Sequence, residues 1–403
     1  MYNVLNYITI KQMPSTAYPN HNKIIRLDFL ESYTYESTWK EMSSKGTITI
    51  PKNLYYKDEG NALNPLNGSK VNIGGFNSEP LIMRGDKITL TAGYRYQKPS
   101  LTWGWVDETS QILDGYITRV HAKIPITFDV EDNMWLLKQT ALKNKTYKAT
   151  DTIETILKDI VDQVADKHPT ADAIVVKQES STTVGAIIVE NETGAQFLDR
   201  LHKLFGLTTY MRGNELRCGV MEYDTAEAQE QIFIMNGQQG NVPADGQELE
   251  FQRKEDVVVS TRAYNTIEKD NGSNKDGSKK LKKERIEVLV TLKNGEITTS
   301  SIKSGEHTPD NTEGERTTFF DPSAKTEADL IVGATKQLEL MRYDGLTGSF
   351  QAFGIPFVRY GDNVRIKNPK QPEQDGLYKV KGVTYSGGTS GLRQTIKLHY
   401  KIA

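Results

Sequence analysis

Cysteine is almost missing from this chain, and its scarcity limits the available chemistry. Cys218 is the only cysteine among 403 residues. No disulfide can therefore form within the chain, and a cysteine-based zinc site would need other ligands. The composition fits folding in a reducing cytosol.

Long apolar runs and an excess of one charge are missing too. No stretch approaches the roughly 20 apolar residues that span a bilayer, and residues 1–11 lack the pattern of a signal peptide. The 50 basic and 52 acidic residues give a formal net charge of −2. This balance predicts neither a basic nucleic-acid surface nor an acidic DNA mimic. We therefore expect no membrane segment and no specific nucleic-acid binding.

Motifs for catalysis and metal binding are not found either. The six histidines do not pair at helical spacing, and the sequence has no H-E-x-x-H, C-x-x-C, G-x-S-x-G, P-loop or G-x-G-x-x-G motif in a suitable context. Asp129, Glu131 and Asp132 form an acidic cluster, but they alternate with Phe128 and Val130, which favours a strand with one wet face. The sequence thus indicates no catalytic, cofactor-binding or metal-ligating residue, and no cofactor.

What the chain does contain is a series of short β-type runs. Its length predicts two to four domains, and its apolar content of 37% is low for one large core. Residues 53–80, dense in Asn and Gly, predict a loop or an inserted arm. Alternating or β-branched runs predict these strands in the first third of the chain: 24–29, 46–50, 87–92, 112–120 and 124–130.

The hydrophobic period changes to a helical one after residue 150. Apolar residues at 153, 156, 157, 160, 161 and 164 predict an amphipathic helix that Asp151 or Thr150 caps. Strands are expected at 173–177 and 186–189. Thr193 and Gln196 form a capping-box pattern for a second helix, which Gly206 ends and on which His202 is expected at a polar boundary. A hairpin over 207–220 completes a small α/β module.

The last part of the chain returns to β patterns. Asn294-Gly295 predicts a hairpin turn, residues 305–322 predict an open loop, and residues 323–342 predict a third helix. A lysine-rich segment, 269–283, predicts a mobile, solvated hairpin tip, with contact to an acidic partner or a nucleic acid as the alternative. The expected strands are 256–267, 285–292, 296–302, 363–366, 378–385 and 392–400.

One short pattern occurs twice. Gly85-Asp86 and Gly361-Asp362 each precede an alternating strand, and Ile117 and Val380 follow them in comparable strands. The match predicts two related β domains, although Gly-Asp turns before strands are also common. With two related units per chain, a homotrimer would present six similar units in a ring.

The order of these parts resembles the baseplate hub proteins of contractile-tailed phages. The families are the late control protein D family, the Mu-like tail hub, and the N-terminal part of type VI secretion spike proteins. Three stretches carry the resemblance: 25–51 with 85–132, including Leu113-Asp114-Gly115-Tyr116-Ile117; 193–216, including Phe205-Gly206-Leu207; and the C-terminal region with Gly354-Ile355-Pro356, Gly361-Asp362, Tyr378 and Val380.

The resemblance implies a mainly β fold with an α+β insert. Its parts would be a first tube-like antiparallel β-barrel domain at 1–135, a small α/β module at 136–225, and a second tube-like β-barrel domain at 226–403 with an inserted helix near 323–342. The implied role is structural and not enzymatic: a homotrimeric symmetry adaptor between a hexameric tail tube and a trimeric central spike.

The resemblance also implies partners and a location. The partners would be the tail tube protein and a separate central spike protein, since no fused spike follows Ala403, with the tape measure protein and baseplate wedge proteins as further expectations. The location would be the tail baseplate of a virion assembled in the bacterial host cytoplasm. Two alternatives stay open: the hub of a phage-derived contractile injection particle or secretion system, and a tail-associated cell-wall hydrolase.

Overall fold

The computed structural model describes most of the chain. The described residues are 2–402, except for these positions: 39–40, 52, 68–79, 99–103, 122–123, 179–182, 206, 220–228, 237–239, 244–246, 254–257, 274–278, 294, 303–313, 322–323 and 342.

Strands dominate the described residues. The first group is β1 (Tyr2–Lys11), β2 (Ile24–Leu27), β3 (Ser32–Thr38), β4 (Lys45–Ile50), β5 (Asn53–Lys57), β6 (Leu63–Asn67), β7 (Lys87–Lys98), β8 (Gly104–Val120) and β9 (Ile126–Asp132). The middle group is α1 (Met134–Gln139), β10 (Lys145–Tyr147), α2 (Ile153–Lys167), β11 (Val175–Gln178), β12 (Ile187–Val189), α3 (Gly194–Phe205), β13 (Thr208–Arg212) and β14 (Glu215–Gly219). The last group is β15 (Glu230–Ile234), β16 (Gln247–Gln252), β17 (Val259–Ser273), β18 (Lys279–Lys293), β19 (Glu296–Ser301), β20 (Glu315–Phe320), α4 (Glu327–Met341), β21 (Gly345–Phe353), β22 (Asn363–Lys367), a 3-10 turn (Pro372–Gln374), β23 (Gly376–Gly388) and β24 (Gly391–Lys401).

One continuous sheet joins the two ends of the chain. Its order is β16-β21-β24-β23-β3-β4-β9-β8-β7-β1-β2-β5-β6, with β22 beside β23 and β15 beside β22. Nearly all its pairs are antiparallel, so the fold class predicted from the sequence, mainly β with an α+β insert, is confirmed. The link between the first and last groups is the antiparallel pair β3–β23.

A single hydrophobic core lies under this sheet. It takes Ile48, Phe128 and Val130 from the first group and Val383 and Ile396 from the last, all almost fully buried. In β3, β4, β9 and β24, every second side chain points into this core, as the two-residue period of a strand requires, whereas the bulges of β23 interrupt its alternation. The division at residues 135 and 225 stays a prediction, because this core spans the first and third parts.

The α/β module has its own core. Helices α2 and α3 bury Ile156, Leu157 and Ile160 and Phe197, Leu198 and Leu201, and small sheets cover them. The capping box is confirmed: the N–H of Gln196 donates to Thr193 Oγ1 at 3.3 Å, and the N–H of Thr193 donates to Gln196 Oε1 at 2.8 Å. The predicted stop at Gly206 lies outside the described residues.

A third core lies in an insertion between β16 and β21. Here α4 packs on a four-stranded sheet of order β19-β18-β17-β20, burying Val288, Val290, Leu330 and Leu338. Because Gln252 on β16 pairs directly with Gly345 on β21, the insertion leaves and rejoins the main sheet at one place. The predicted helix therefore exists, but it is accompanied by four strands.

The structure corrects several local predictions. Residues 53–80, predicted to be a loop or an inserted arm, include the β5–β6 hairpin, and part of the predicted 305–322 loop is β20, which pairs in parallel with β17. The lysine-rich segment forms the end of the β17–β18 hairpin, as predicted, with 274–278 outside the described residues; its mobility stays a prediction. Thr152 caps α2, in place of Asp151 or Thr150: its Oγ1 accepts a hydrogen bond from the N–H of Thr155.

Candidate assembly interface

The repeated Gly-Asp pattern forms the same turn twice. Gly85 and Gly361 have φ angles of 95° and 82°, which only glycine adopts without strain. The N–H of Gly85 donates to the Ile117 carbonyl at 2.8 Å, and the N–H of Gly361 donates to the Val380 carbonyl at 2.9 Å. The geometry therefore places Ile117 and Val380 at equivalent positions, as the sequence predicts.

The aspartates of the two turns have equivalent roles. Asp86 Oδ2 accepts the N–H of Met83, and Asp362 Oδ2 accepts the N–H of Arg359, both at 2.8 Å. Both aspartates are almost fully buried. Each carboxylate closes a four-residue turn and satisfies a backbone donor that burial would otherwise leave without a partner.

The likeness continues along the strands. β8 carries a bulge directly after Ile117, where it pairs with β9, and β23 carries one directly after Val380, where it pairs with β24. The sheet order β16-β21-β24-β23 is followed by β3-β4-β9-β8. In each set of four, the first two strands, β16 and β21 or β3 and β4, form an antiparallel pair. The third strand, β24 or β9, is the last of its set along the chain, and the fourth, β23 or β8, carries the bulge. We call these two sets the repeats.

The α/β module lies between the two turns and contacts both. At the first turn, Lys87 Nζ lies 3.1 Å from Asp114 and also contacts Asp172 of the module. At the second, Arg212 Nη2 lies 3.4 Å from Asp362, and the Tyr360 hydroxyl donates to the Met211 carbonyl. Burial raises the pKa of Asp362 despite the nearby Arg212. The module thus fixes the two turns relative to each other.

The seam between the repeats is the β3–β23 pair. Seven consecutive residues of β3, Ser32–Thr38, pair with seven of β23, Gly382–Gly388. The rings of Tyr35 and Tyr385 stack at 6.5 Å beneath it, and the Tyr94 hydroxyl donates to the Leu392 carbonyl at 3.0 Å. The seam is therefore a packed, fully hydrogen-bonded junction.

One face of this junction is polar throughout. A single register row crosses five strands, from Thr395 through Thr384, Glu36 and Lys45 to Glu131. Apart from Thr127, which is buried beside Thr49, the side chains of this polar face are at least partly accessible, and three basic residues balance three acidic ones. Its members are Ser32, Thr34, Glu36, Lys45, Thr47, Thr49, Asp129, Glu131, Thr384, Ser386, Arg393, Thr395 and Lys397.

The acidic cluster found in the sequence divides between the two sides of β9. Asp129 and Glu131 lie on the polar face, where Asp129 Oδ1 is 2.9 Å from His121 Nε2 and Glu131 contacts Lys138. Asp132 is buried on the other side. Burial raises its pKa to about 6, although the N–H groups of Ser44 and Met134 donate to it. The sequence interpretation of a wet face holds for the first two residues and missed the third.

The other candidate residues have ordinary surroundings. His202 is exposed on α3, with Nδ1 3.3 Å from the Leu207 carbonyl, and Cys218 is buried in the module core. Within the described residues, no group of three or more His, Cys, Asp or Glu side chains could hold a metal ion. No helix in that part of the chain is long and apolar enough to cross a membrane.

Comparison with known proteins gives structural matches only. No protein-family model and no curated protein matches the sequence. The fold is similar to the tail protein from Neisseria meningitidis MC58, with a TM-score of 0.53 and 14% identity over 98% of this chain and 96% of that one. This likeness shows that the two proteins share a fold, and it confirms the expected resemblance at that level.

Two further structures match over nearly the whole chain. A 43 kDa tail protein of prophage MuSo2 from Shewanella oneidensis gives a TM-score of 0.49, with 13% identity over 98% of both chains. An E. coli component of the type VI secretion system gives a TM-score of 0.43, with 10% identity over 98% of this chain and 76% of that one.

Proposed function

We propose that this protein is a structural baseplate hub of a contractile tail, which assembles as a homotrimer and joins a sixfold tail tube to a threefold central spike. The observation that carries the proposal is the pair of repeats in one sheet, each with the same turn, the same bulge and the same strand order. A trimer of such chains contains six similar repeats, which can match a sixfold tube, and three identical chains, which can match a threefold spike.

The polar face supports a channel through the centre of this trimer. It runs across five adjacent strands on both sides of the β3–β23 seam and bears balanced charge, so a passing polymer would meet water and mixed charges there. A DNA strand or a tape measure protein could occupy such a channel without specific binding. A strongly basic lining would instead hold nucleic acid through its phosphates.

The further partners and the location follow from the same proposal. The tail tube protein would contact one end of the ring and the separate spike protein the other, with the tape measure and wedge proteins as additional contacts. The protein would be assembled in the bacterial host cytoplasm and then reside in the tail baseplate of a virion. A phage-derived injection particle needs the same adaptor, so it remains the second candidate.

The proposal is tested by the mass of the assembly. We expect the purified protein to have the mass of three chains by light scattering, alone or after mixing with its tube and spike proteins. Cryo-electron microscopy of the mixture should then show a ring with threefold symmetry between tube and spike. A chain that stays monomeric with both partners present would contradict the proposal.

A further inference from the structure

The two repeats meet within one chain at the β3–β23 seam. On the side opposite this seam, each repeat ends in an outer strand edge. In the described residues, the outer edge of β16 has no strand partner, and β8 after Ile117 has β9 on one side only. By the correspondence of the repeats, β16 is the equivalent of β3, and β8 is the equivalent of β23. These two edges, beside which the described residues place no further strand, are thus the two halves of a second seam.

We infer that β8 of one chain pairs antiparallel with β16 of the next chain, and that this contact copies the internal β3–β23 seam. The inference rests on the trimer of the proposed function and specifies which surfaces join. The contact is head to tail, since different strands meet, and such contacts close into a ring when the rotation between copies permits. The rotation from one chain to the next must therefore match the rotation across the internal seam.

The bulges fix the register of the proposed seam. Crossing the sheet from the first bulge gives Arg119, Asp129, Thr47 and Thr34 in one row. Crossing from the second gives Gly382, Lys397, Ser349 and Glu248. Arg119 therefore corresponds to Gly382, and Glu248 corresponds to Thr34.

Two contacts between copies follow from this register. In the internal seam, Gly382 lies opposite Thr38, and Thr384 lies opposite Glu36. Thr38 and Glu36 correspond to Gln252 and Glu250, which lie four and two residues beyond Glu248. Arg119 of one copy should thus lie opposite Gln252 of the next, and His121 opposite Glu250.

Charge and exposure favour the same pairing. The β16 edge presents Glu248 and Glu250, both exposed, whereas the β8 edge presents Arg119, whose side chain is 70% exposed. Opposite charges across adjacent strands stabilise the pair, so the two edges attract each other.

The proposed contact also explains why an apolar side chain of β16 is exposed. Tyr35 of β3 is 4% exposed because β23 covers it, while Phe251, on the corresponding side of β16, is 38% exposed. Val383 of β23 is buried in the internal seam, and its equivalent on β8, Val120, is only partly buried. In the proposed contact, Val120 of one chain would cover Phe251 of the next. Val383 has the same role in the internal seam, where it helps to cover the core near Tyr35.

A disulfide tests the register. A Cβ placed on Gly382 would lie 3.1 Å from the Cβ of Thr38, and disulfides join Cβ atoms about 3.8 Å apart. We expect Arg119→Cys with Gln252→Cys, after oxidation, to give covalent chains that stop at three on a non-reducing gel. Either single variant should give none. The mismatched pair Arg119→Cys with Glu248→Cys, displaced by four residues or about 13 Å, should also give none.

A charge reversal gives a second readout without cysteines. Arg119→Glu should raise the dissociation constant of the trimer at least tenfold, because it would face Gln252 and Glu250 of the next chain. Lys336→Glu, which reverses an exposed charge on α4, is the matched control and should leave the constant unchanged.

The outcomes separate this inference from the function on which it rests. A trimer by light scattering that forms no disulfide in the matched pair, and that Arg119→Glu does not weaken, would overturn the seam and leave the hub proposal standing. Cross-linked chains longer than three would show an open filament and would overturn the closed ring. A chain that stays monomeric with its partners would overturn the function itself.

Discussion

At the scale of single residues, Asp132 gives the fold a distinctive pH response. Its folded-state pKa of about 6 lies above the ordinary value of 3.8, so the folded protein holds this proton more tightly than the unfolded chain does. Its stabilising contribution is therefore complete below about pH 3.8 and is lost as the pH rises through 6. The loss amounts to roughly 3 kcal/mol at most, at 1.36 kcal/mol for each pKa unit.

Asp132→Asn provides the comparison. Because asparagine does not titrate, we expect the free energy of unfolding of wild type to fall relative to that of the variant between pH 4.5 and pH 7. Urea denaturation at several pH values measures both. Parallel profiles for the two proteins would show that Asp132 titrates at an ordinary pKa.

Gly361 tests the turn that both repeats share. No atom lies within 4 Å of the place where its Cβ would stand, so any cost of a side chain comes from the φ of 82° alone. Gly361→Ala should lower the free energy of unfolding by about 1–2 kcal/mol, and Gly361→Asn by less, because asparagine tolerates this region better. Equal losses in thermal unfolding for both variants would point to a cause other than backbone conformation.

At the scale of elements, α3 shows how a buried face and an exposed face differ. Leu201 is 1% exposed in the module core, and Leu201→Asp would bury a charge without a partner. We expect a loss of several kcal/mol, on the order of 3–5. His202→Ala, one residue further on the exposed side, should change the free energy of unfolding by less than about 0.5 kcal/mol. A loss of assembly in a folded His202→Ala protein would give that histidine an interface role.

The same helix shows which elements sequence patterns can predict. The start and the buried face of α3 depend on residues within twelve positions of one another, so the capping box and the apolar period were sufficient to predict them. The turns at Gly85 and Gly361 are local in the same way. The strand β20 was missed because its support is remote: it pairs with β17, more than fifty positions earlier in the chain.

At the scale of the whole molecule, the insertion between β16 and β21 should be separable. It has its own core, and Gln252 and Gly345, at its two ends, are already paired. Replacing 253–342 by a short Gly-Ser linker should leave a folded, cooperative protein. Tyr343 must remain, because it is buried in the main core and its hydroxyl donates to the Leu346 carbonyl.

Circular dichroism and light scattering check this deletion. The β signal and the mass of the assembly should be retained, since neither the proposed seam nor the polar face includes the insertion. A matched deletion that also removes Tyr343 should be less stable, because it would leave a cavity beneath β21. Aggregation of both deletions would show that the insertion supports the main sheet.

The arrangement of the repeats could not be predicted from sequence patterns. The sequence suggested two related β domains from a match of a few residues, but it did not indicate that both share one core or that β3 is completed by β23. Seven residue pairs form that seam, and no short-range pattern in Ser32–Thr38 encodes a partner near Gly388. Only the pairing of distant strands reveals it.

The internal seam also determines when the chain can fold. β3 is made long before β23, because residues 39–375 separate the two strands in the chain. Contacts between such distant segments form slowly, and an uncovered strand edge can pair with the wrong neighbour in the meantime. The central sheet can therefore be completed only after β23 has been made, and a truncated product that lacks β23 would keep an exposed β3 edge.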